Sequence, residues 1–384
     1  MKFVIYSTLI SIFSESVVYH AAIDLKLFYF IVLLNLMIIA YFKGLHINLW
    51  HLGGMLIVFT ASFFSIFVNI QSYLMQVAGI SLVSIYYYMF FREVNIPAIS
   101  LFKIYLKLSM IVASLGIFIV LIRLILFGEL DKLHSVMLEP SHYVMVILPA
   151  WYYTFSRYRF LHFHTMLFTL TILLSGSAVG ILGILLGFIL KTNFSIKRMM
   201  LALIMSSVLS VSLYNFNEDF RLRVDDTFMA ISSLSLKGVN LSTYALLSNA
   251  YVAYKSFSDS PVFGGGLGSH GLQRKQYLHD IVGIDEFEQY SSLNEKDANS
   301  LLLRIVSELG SLGLIIVIVF LVRFGISLKG EELIISRGIL IYFFIKLLRE
   351  GHYFSPEMYF FIMCYLYIYK QRNYMNYNTI KVCS

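Results

Sequence analysis

The chain has 384 residues, 59% hydrophobic and 13% charged, with a net charge of +7 and a mean hydropathy of +0.77. One water-soluble core cannot hide that much apolar surface, so the composition excludes a soluble domain and predicts an integral membrane protein. Its long unbroken apolar runs fit helices rather than the alternating strands of a membrane barrel.

In chain order the predicted spans are 3–19, 27–42, 50–69, 72–91, 104–127, 142–156, 161–175, 177–190, 199–214, 300–322, 334–348 and 357–369. The short pair 161–175 and 177–190 turns at Ser175-Gly176-Ser177, as a hairpin that stops inside the membrane would. Lys and Arg resist translocation in short loops. The even connections are the basic ones: Lys43; Arg92, Lys103 and Lys107; Arg157 and Arg159; Lys191, Lys197 and Arg198; Arg323, Lys329 and Arg337; then Lys370, Arg372 and Lys381. Both termini are therefore expected in the cytoplasm, and the positive charge reads as a topology signal rather than a nucleic-acid footprint. The run 3–19 has no convincing small-residue cleavage site and is expected to stay as the first helix. The predicted fold is all-α and polytopic, with about twelve transmembrane helices. Residues 1–214 hold helices one to nine, 215–298 form one large outer loop, and 299–384 hold helices ten to twelve and a cytoplasmic tail. Neither Cys364 nor Cys383 stands in a metal-ligand spacing, so no metal is expected.

With this topology several cations fall on the outer side without a topological excuse. Arg123 sits in span five, Arg304 in span ten, Lys346 and Arg349 at the end of span eleven, and Arg221 and Arg223 at the start of the large loop. Each alone fits a snorkelling interfacial residue; together they suit a lipid-linked phosphate or pyrophosphate, whose oxygens match guanidinium forks. Glu139-Pro140-Ser141-His142 opens span six, Pro140 suiting a helix's first turn. Glu139 is either an exposed residue of a helix start or, like His142, a candidate proton acceptor for a sugar hydroxyl. Glu308 lies one helical turn after Arg304, which reads either as an internal ion pair that makes both charges tolerable in lipid or as part of a site.

The turn from Pro261 to Gly268 permits close backbone approach and would suit a phosphate, but no strand–helix frame surrounds it, and a tight turn after a helix explains it as well. That helix is predicted over 242–257, with Tyr244, Leu247, Tyr251 and Tyr254 forming a stripe for packing or for a glycan. The last outer connection, Arg349 to Glu357, is dense in polar and aromatic groups, including His352 and Tyr353.

The twelve-span plan with its large loop after span nine, the Pro261–Gly268 turn, the distal Asn299-Ser300-Leu301-Leu302…Glu308-Leu309-Gly310 pattern, Glu139-Pro140-Ser141-His142 and Arg349…His352-Tyr353-Phe354 together resemble the bacterial O-antigen polymerase and ligase superfamily, and its polymerase branch in particular. The resemblance implies a metal-independent glycosyltransferase of the bacterial inner membrane that needs no cofactor and has 215–298 in the periplasm. Its partners would be undecaprenyl-pyrophosphate-linked donor and acceptor oligosaccharides, membrane lipid and a chain-length regulator, with no nucleic acid. It also implies roles: Arg123, Arg221, Arg223, Arg304, Arg349, His352, Tyr353, Ser141, Tyr244, Asn299 and Glu308 for binding substrate and pyrophosphate, and Glu139, His142 or Asp297 for the base. Ligases carry a His before the Asn of the distal motif, whereas this chain has Asp297-Ala298-Asn299. An O-antigen ligase is therefore the second reading. A lipid-linked oligosaccharide flippase is the third, disfavoured by the lack of a half-to-half repeat.

Overall fold

A computed structural model describes residues 1–384 except 21–23, 66, 68, 129–130, 159–160, 192–199, 201–203, 205–206, 209–210, 213, 216–217, 234, 282–283, 326–329 and 384. The architecture is helical apart from one short ribbon. Helix α1 covers Lys2–Ser11, strands β1 (Val18–His20) and β2 (Asp24–Lys26) pair antiparallel, and α2 follows at Leu27–Lys43. Next come α3 (Leu49–Phe63), α4 (Ile70–Glu93), α5 (Ala98–Phe127), α6 (Pro140–Arg157), α7 (Phe163–Leu174) and α8 (Ala178–Lys191). The loop region supplies α9 (Glu218–Ser233), α10 (Leu241–Asp259) and α11 (His270–Tyr277), and the chain ends with α12 (Leu301–Gly325), α13 (Gly330–Leu348) and α14 (Pro356–Cys383).

Among the described residues, Ile70–Glu93, Ala98–Phe127 and Leu301–Arg323 are long and apolar enough to cross a membrane, and five shorter helices are also apolar. The fold is that of an α-helical protein compatible with a membrane. Helices follow the predicted apolar runs with three departures, one of them that α3 ends at Phe63 where the run was expected to reach 69. The first run stops early: α1 ends at Ser11, leaving Glu15 beyond the helix rather than within a span to residue 19. The ninth run, 199–214, and Arg159, Lys197, Arg198 and Lys329 lie largely or wholly outside the described residues.

Helix α6 is the axis of the bundle, and every residue from Tyr143 to Phe155 is buried. It can be enclosed because its neighbours present glycine. A Cβ on Gly183 would lie 2.4 Å from Leu148, one on Gly187 2.3 Å from Trp151, and one on Gly338 of α13 3.0 Å from the Pro149 carbonyl. Small residues let helix backbones approach closely, which drives association where no hydrophobic force acts between helices in lipid. Pro149 removes one rung of α6's own ladder, and Tyr105 Oη donates to the Val146 carbonyl on the preceding turn at 2.5 Å. Helix α6 is thus a rigid post, and its first turn carries Ser141 and His142.

Helix α12 is broken. Gly310 takes φ 57°, ψ −146°, which interrupts the hydrogen-bond ladder. The glycine turn after α10 fills the gap: Gly265 N donates to Ser307 O at 2.8 Å and Gly266 N to Glu308 O at 2.9 Å, while Ser311 N and Leu312 N donate to Pro261 O and Val262 O at 2.8 and 3.0 Å. The amides of Gly265 and Gly266 are therefore spent on carbonyls rather than offered to a phosphate.

Helix α10 packs through the predicted stripe only at its start, where Tyr244 is buried in the loop's own core with Leu247 against it. The rest of its buried face is Ala245, Ser248, Asn249, Val252, Ala253 and Ser256, mostly small residues at three- and four-residue steps, while Tyr254 is 66% exposed. Contact with α12 selects the small face, since Ser256 Oγ donates to Ser307 O at 2.8 Å.

Candidate functional site

At the bundle end that carries the loop, four helix termini converge: the starts of α6, α12 and α14 and the finish of α13. Pro140 opens α6 with Glu139 as the preceding residue, and Ser141 Oγ donates to Glu139 Oε2 at 3.0 Å. Arg349, just past α13, donates to Asn299 Oδ1 at 2.5 Å and lies 3.7 Å from Glu139 Oε2. Glu350 N donates to Asn299 O, and Asn299 N donates to Asp297 Oδ1, both at 3.1 Å. His352 Nε2 stands 3.8 Å from Asp297 Oδ2.

This junction is built from constrained backbone. Ala298, Asn299 and Glu350 all have positive φ, at 55°, 54° and 74°. Asparagine tolerates that region; alanine and glutamate do so at about 1–2 kcal/mol each. Gly351 has no room for a side chain, because a Cβ there would lie 1.6 Å from the Asp297 carbonyl oxygen. Strain of this kind persists only where surrounding contacts over-determine it, and here those contacts are the Arg349–Asn299 bond and the buried pairs beneath.

Two buried ion groups form the floor. Arg304 donates through Nε to Glu308 Oε1 at 3.1 Å and through Nη1 to Gly351 O at 2.9 Å, and its guanidinium carbon lies 4.4 Å from the Tyr353 ring centroid. Among the described residues Arg304 Nη2 has no hydrogen-bond partner, and the Tyr353 hydroxyl lies close to Glu308. Lys346 binds Glu350, Ser355 Oγ at 2.9 Å and Glu357 Oε1 at 3.4 Å. Burial holds the Glu350 carboxyl above its ordinary range, Lys346 opposing and Glu357 adding to the shift.

Accessibility separates the roles. Glu139 is 51% exposed, His352 37% and Arg349 34%, whereas Arg304, Glu308, Lys346 and Glu350 are buried. Of the cations expected on the outer side, Arg304 and Lys346 are thus neutralised inside, and Arg349 is the accessible one within this cluster.

The structure brings together Glu139, Ser141, His142, Asp297, Asn299, Arg304, Glu308, Arg349, His352 and Tyr353. Four predicted residues stand apart by their contacts. Arg123 pairs with Asp131 at 2.5 Å, Arg221 with Glu218 at 3.9 Å, and Arg223 is exposed on α9. Tyr244 is buried in the loop's own core, where its hydroxyl accepts from Arg274 Nη2 at 3.0 Å.

Sequence reasoning missed several participants. Glu15 accepts from His142 Nδ1, its oxygens at 2.8 and 2.9 Å, and Lys26 stands 3.8 Å from Glu15. A lone carboxylate in an apolar run is itself a signal of function or pairing, and Glu15 carried that signal. His270 and Arg274 are buried on α11: His270 meets Ser307 Oγ at 2.9 Å and Asn249 Oδ1 at 3.1 Å, and Arg274 reaches Ser248, Asn249 and Tyr244. Burial, then Arg304 and Arg274, depress the His270 pKa to about 3, so it is a neutral strut between loop and α12.

No protein-family model matches the chain, and no curated protein matches its sequence.

Proposed function

We propose that the chain is an O-antigen polymerase: a membrane-embedded glycosyltransferase that, at the periplasmic face of the bacterial inner membrane, moves a growing glycan from undecaprenyl pyrophosphate onto a new lipid-linked repeat. The supporting observation is the junction of Glu139 and His142 with Asn299 and Arg349, residues far apart in the sequence that the resemblance had already singled out.

In this reading Arg349 holds the pyrophosphate through its two-point fork, with Asn299 fixing the guanidinium and Glu139 giving way to phosphate oxygens. The acceptor hydroxyl oxygen attacks the anomeric carbon of the donor. The bond from that carbon to the phosphate oxygen breaks, the pyrophosphate leaves with the electron pair, and the hydroxyl proton passes to one of the candidate bases, Glu139, His142 or Asp297. Arg304 sits beneath, anchoring the Gly351 carbonyl and the Tyr353 ring.

The broken α12 favours a second reading, a lipid-linked oligosaccharide flippase, since discontinuous helices line many transporter sites. Here the freed carbonyls are already satisfied by the loop turn. Deletion of the gene followed by a lipopolysaccharide gel separates the functions. A polymerase leaves a single-repeat band. A ligase leaves uncapped core with lipid-linked polymer retained, and a flippase leaves single lipid-linked repeats inside the cell; either pattern removes the polymerase reading.

A further inference from the structure

Histidine 142 is held in a way that a helix start alone does not require. Its Nδ1 faces both oxygens of Glu15, 127 positions earlier in the chain, at 2.8 and 2.9 Å. A carboxylate at that distance accepts the Nδ1 proton, which fixes the ring's orientation and leaves Nε2 as the nitrogen turned away from Glu15. Nε2 takes part in no hydrogen bond among the described residues and looks toward Glu139 Oε2, 3.9 Å away, on the accessible side of the cluster. The mount is rigid on both sides. His142 rides on the first turn of the enclosed α6, and Glu15 is only 14% exposed and backed by Lys26. A nitrogen base oriented by a second side chain is the arrangement that activates hydroxyl nucleophiles in unrelated enzymes.

We propose that Glu15 is a positioning residue that holds the His142 imidazole with Nε2 toward the acceptor, so that His142 takes the proton of the attacking sugar hydroxyl. This rests on the glycosyl-transfer reading. It divides the labour of the site: Arg349 with Asn299 serves the leaving pyrophosphate, Glu139 tunes Arg349 and Ser141, and His142 serves the acceptor. It also explains why the chain breaks α1 at Ser11, since a helix continued to residue 19 would not deliver Glu15 from a loop.

The test uses the full chain in lipid nanodiscs and, as probe, lipid-linked repeats extracted from a strain lacking the gene. Wild type is expected to lengthen them. Glu15→Gln should lower kcat by about 10²-fold with KM within about two-fold, because an oriented base acts in the transition state and not in binding. Glu15→Asp, which keeps the charge, should recover part of the loss, and Glu15→Gln combined with His142→Gln should be no slower than His142→Gln alone. A merely structural pair would instead lower folded protein and leave kcat per folded molecule unchanged. Wild-type kcat in Glu15→Gln beside a slow His142→Gln, or losses that multiply in the double variant, overturns the inference alone. Wild type that lengthens nothing overturns the polymerase reading and the inference with it. Should Glu15→Gln fail to accumulate, Glu15→Asp decides: a lowered kcat at constant KM supports the role, and a wild-type kcat ends it.

Discussion

Gly264 of the loop and Gly310 of α12 meet backbone to backbone: a Cβ on Gly264 would lie 2.5 Å from the Glu308 carbonyl carbon, and one on Gly310 would lie 2.7 Å from Gly264 N. Both also have positive φ, 65° and 57°. The loop turn therefore repairs the broken helix, and the repair fixes the loop over the candidate site.

Alanine at either glycine should release this latch. Overpacking and the left-handed conformation together are expected to cost on the order of 3 kcal/mol. The thermal midpoint in detergent should fall, and protease should cut the 261–298 segment sooner. Gly53→Ala in α3, where a Cβ meets nothing within 4 Å, is the control and should be neutral or slightly stabilising. Equal behaviour of all three variants would mean the latch carries no load.

The Arg304–Glu308 pair should show the asymmetry of buried charges. Arg304→Met leaves Glu308 buried and unpaired, a loss of about 3–5 kcal/mol, whereas Arg304→Met with Glu308→Leu removes both charges and should restore folded protein. Because Arg304 is buried beneath the accessible groups, the double variant is expected to retain shortened glycan ladders. Folded protein with no ladder at all would place Arg304 in direct contact with pyrophosphate instead.

Arg349 is the accessible fork of the cluster. Arg349→Ala should reduce chain elongation by about 10² and Arg349→Lys by about 10, since Lys offers a point charge in place of two-point contact. Asn299→Ala should produce a smaller loss by freeing the guanidinium. Normal ladders from Arg349→Ala would leave the pyrophosphate role without a holder.

His270 gives a stability signature. Its folded pKa, about 3, lies below the unfolded value of about 6.5, so the unfolded chain binds the proton first. Stability is complete above pH 6.5 and falls as pH drops toward 3, by roughly 2 kcal/mol at pH 5. Thermal midpoints measured from pH 7.5 to 5 should decline in wild type and less steeply in His270→Gln; parallel slopes would assign the acid sensitivity elsewhere.

Membrane orientation is tested by reporters at exposed turns. A periplasm-active reporter at Lys237 should be active, and the same reporter at Gly44 or Gly330 silent. The reverse pattern would move the whole cluster to the cytoplasmic side. Gln273, an obvious fusion point in a polar loop, is fully buried and would report on misfolding.

The sequence by itself determined the helical class and most of the described helix positions, because apolar runs are local signals; isolated charges drew attention to Glu139, His142 and Arg349, and the resemblance added Asn299. Tertiary structure decided which of the charges are buried with their partners and which stay accessible. Spacing left Arg304 open as an anion holder or as the partner of Glu308, and packing buried the pair; it also placed Glu350 and Glu357 against Lys346, while Arg123 and Arg221 have acids of their own nearby. Spacing cannot show that Glu15 reaches His142, nor that the glycine turn closes a broken helix rather than a phosphate site. Both are contacts between segments far apart in the chain, fixed by how helices stack around α6, and no local periodicity encodes them.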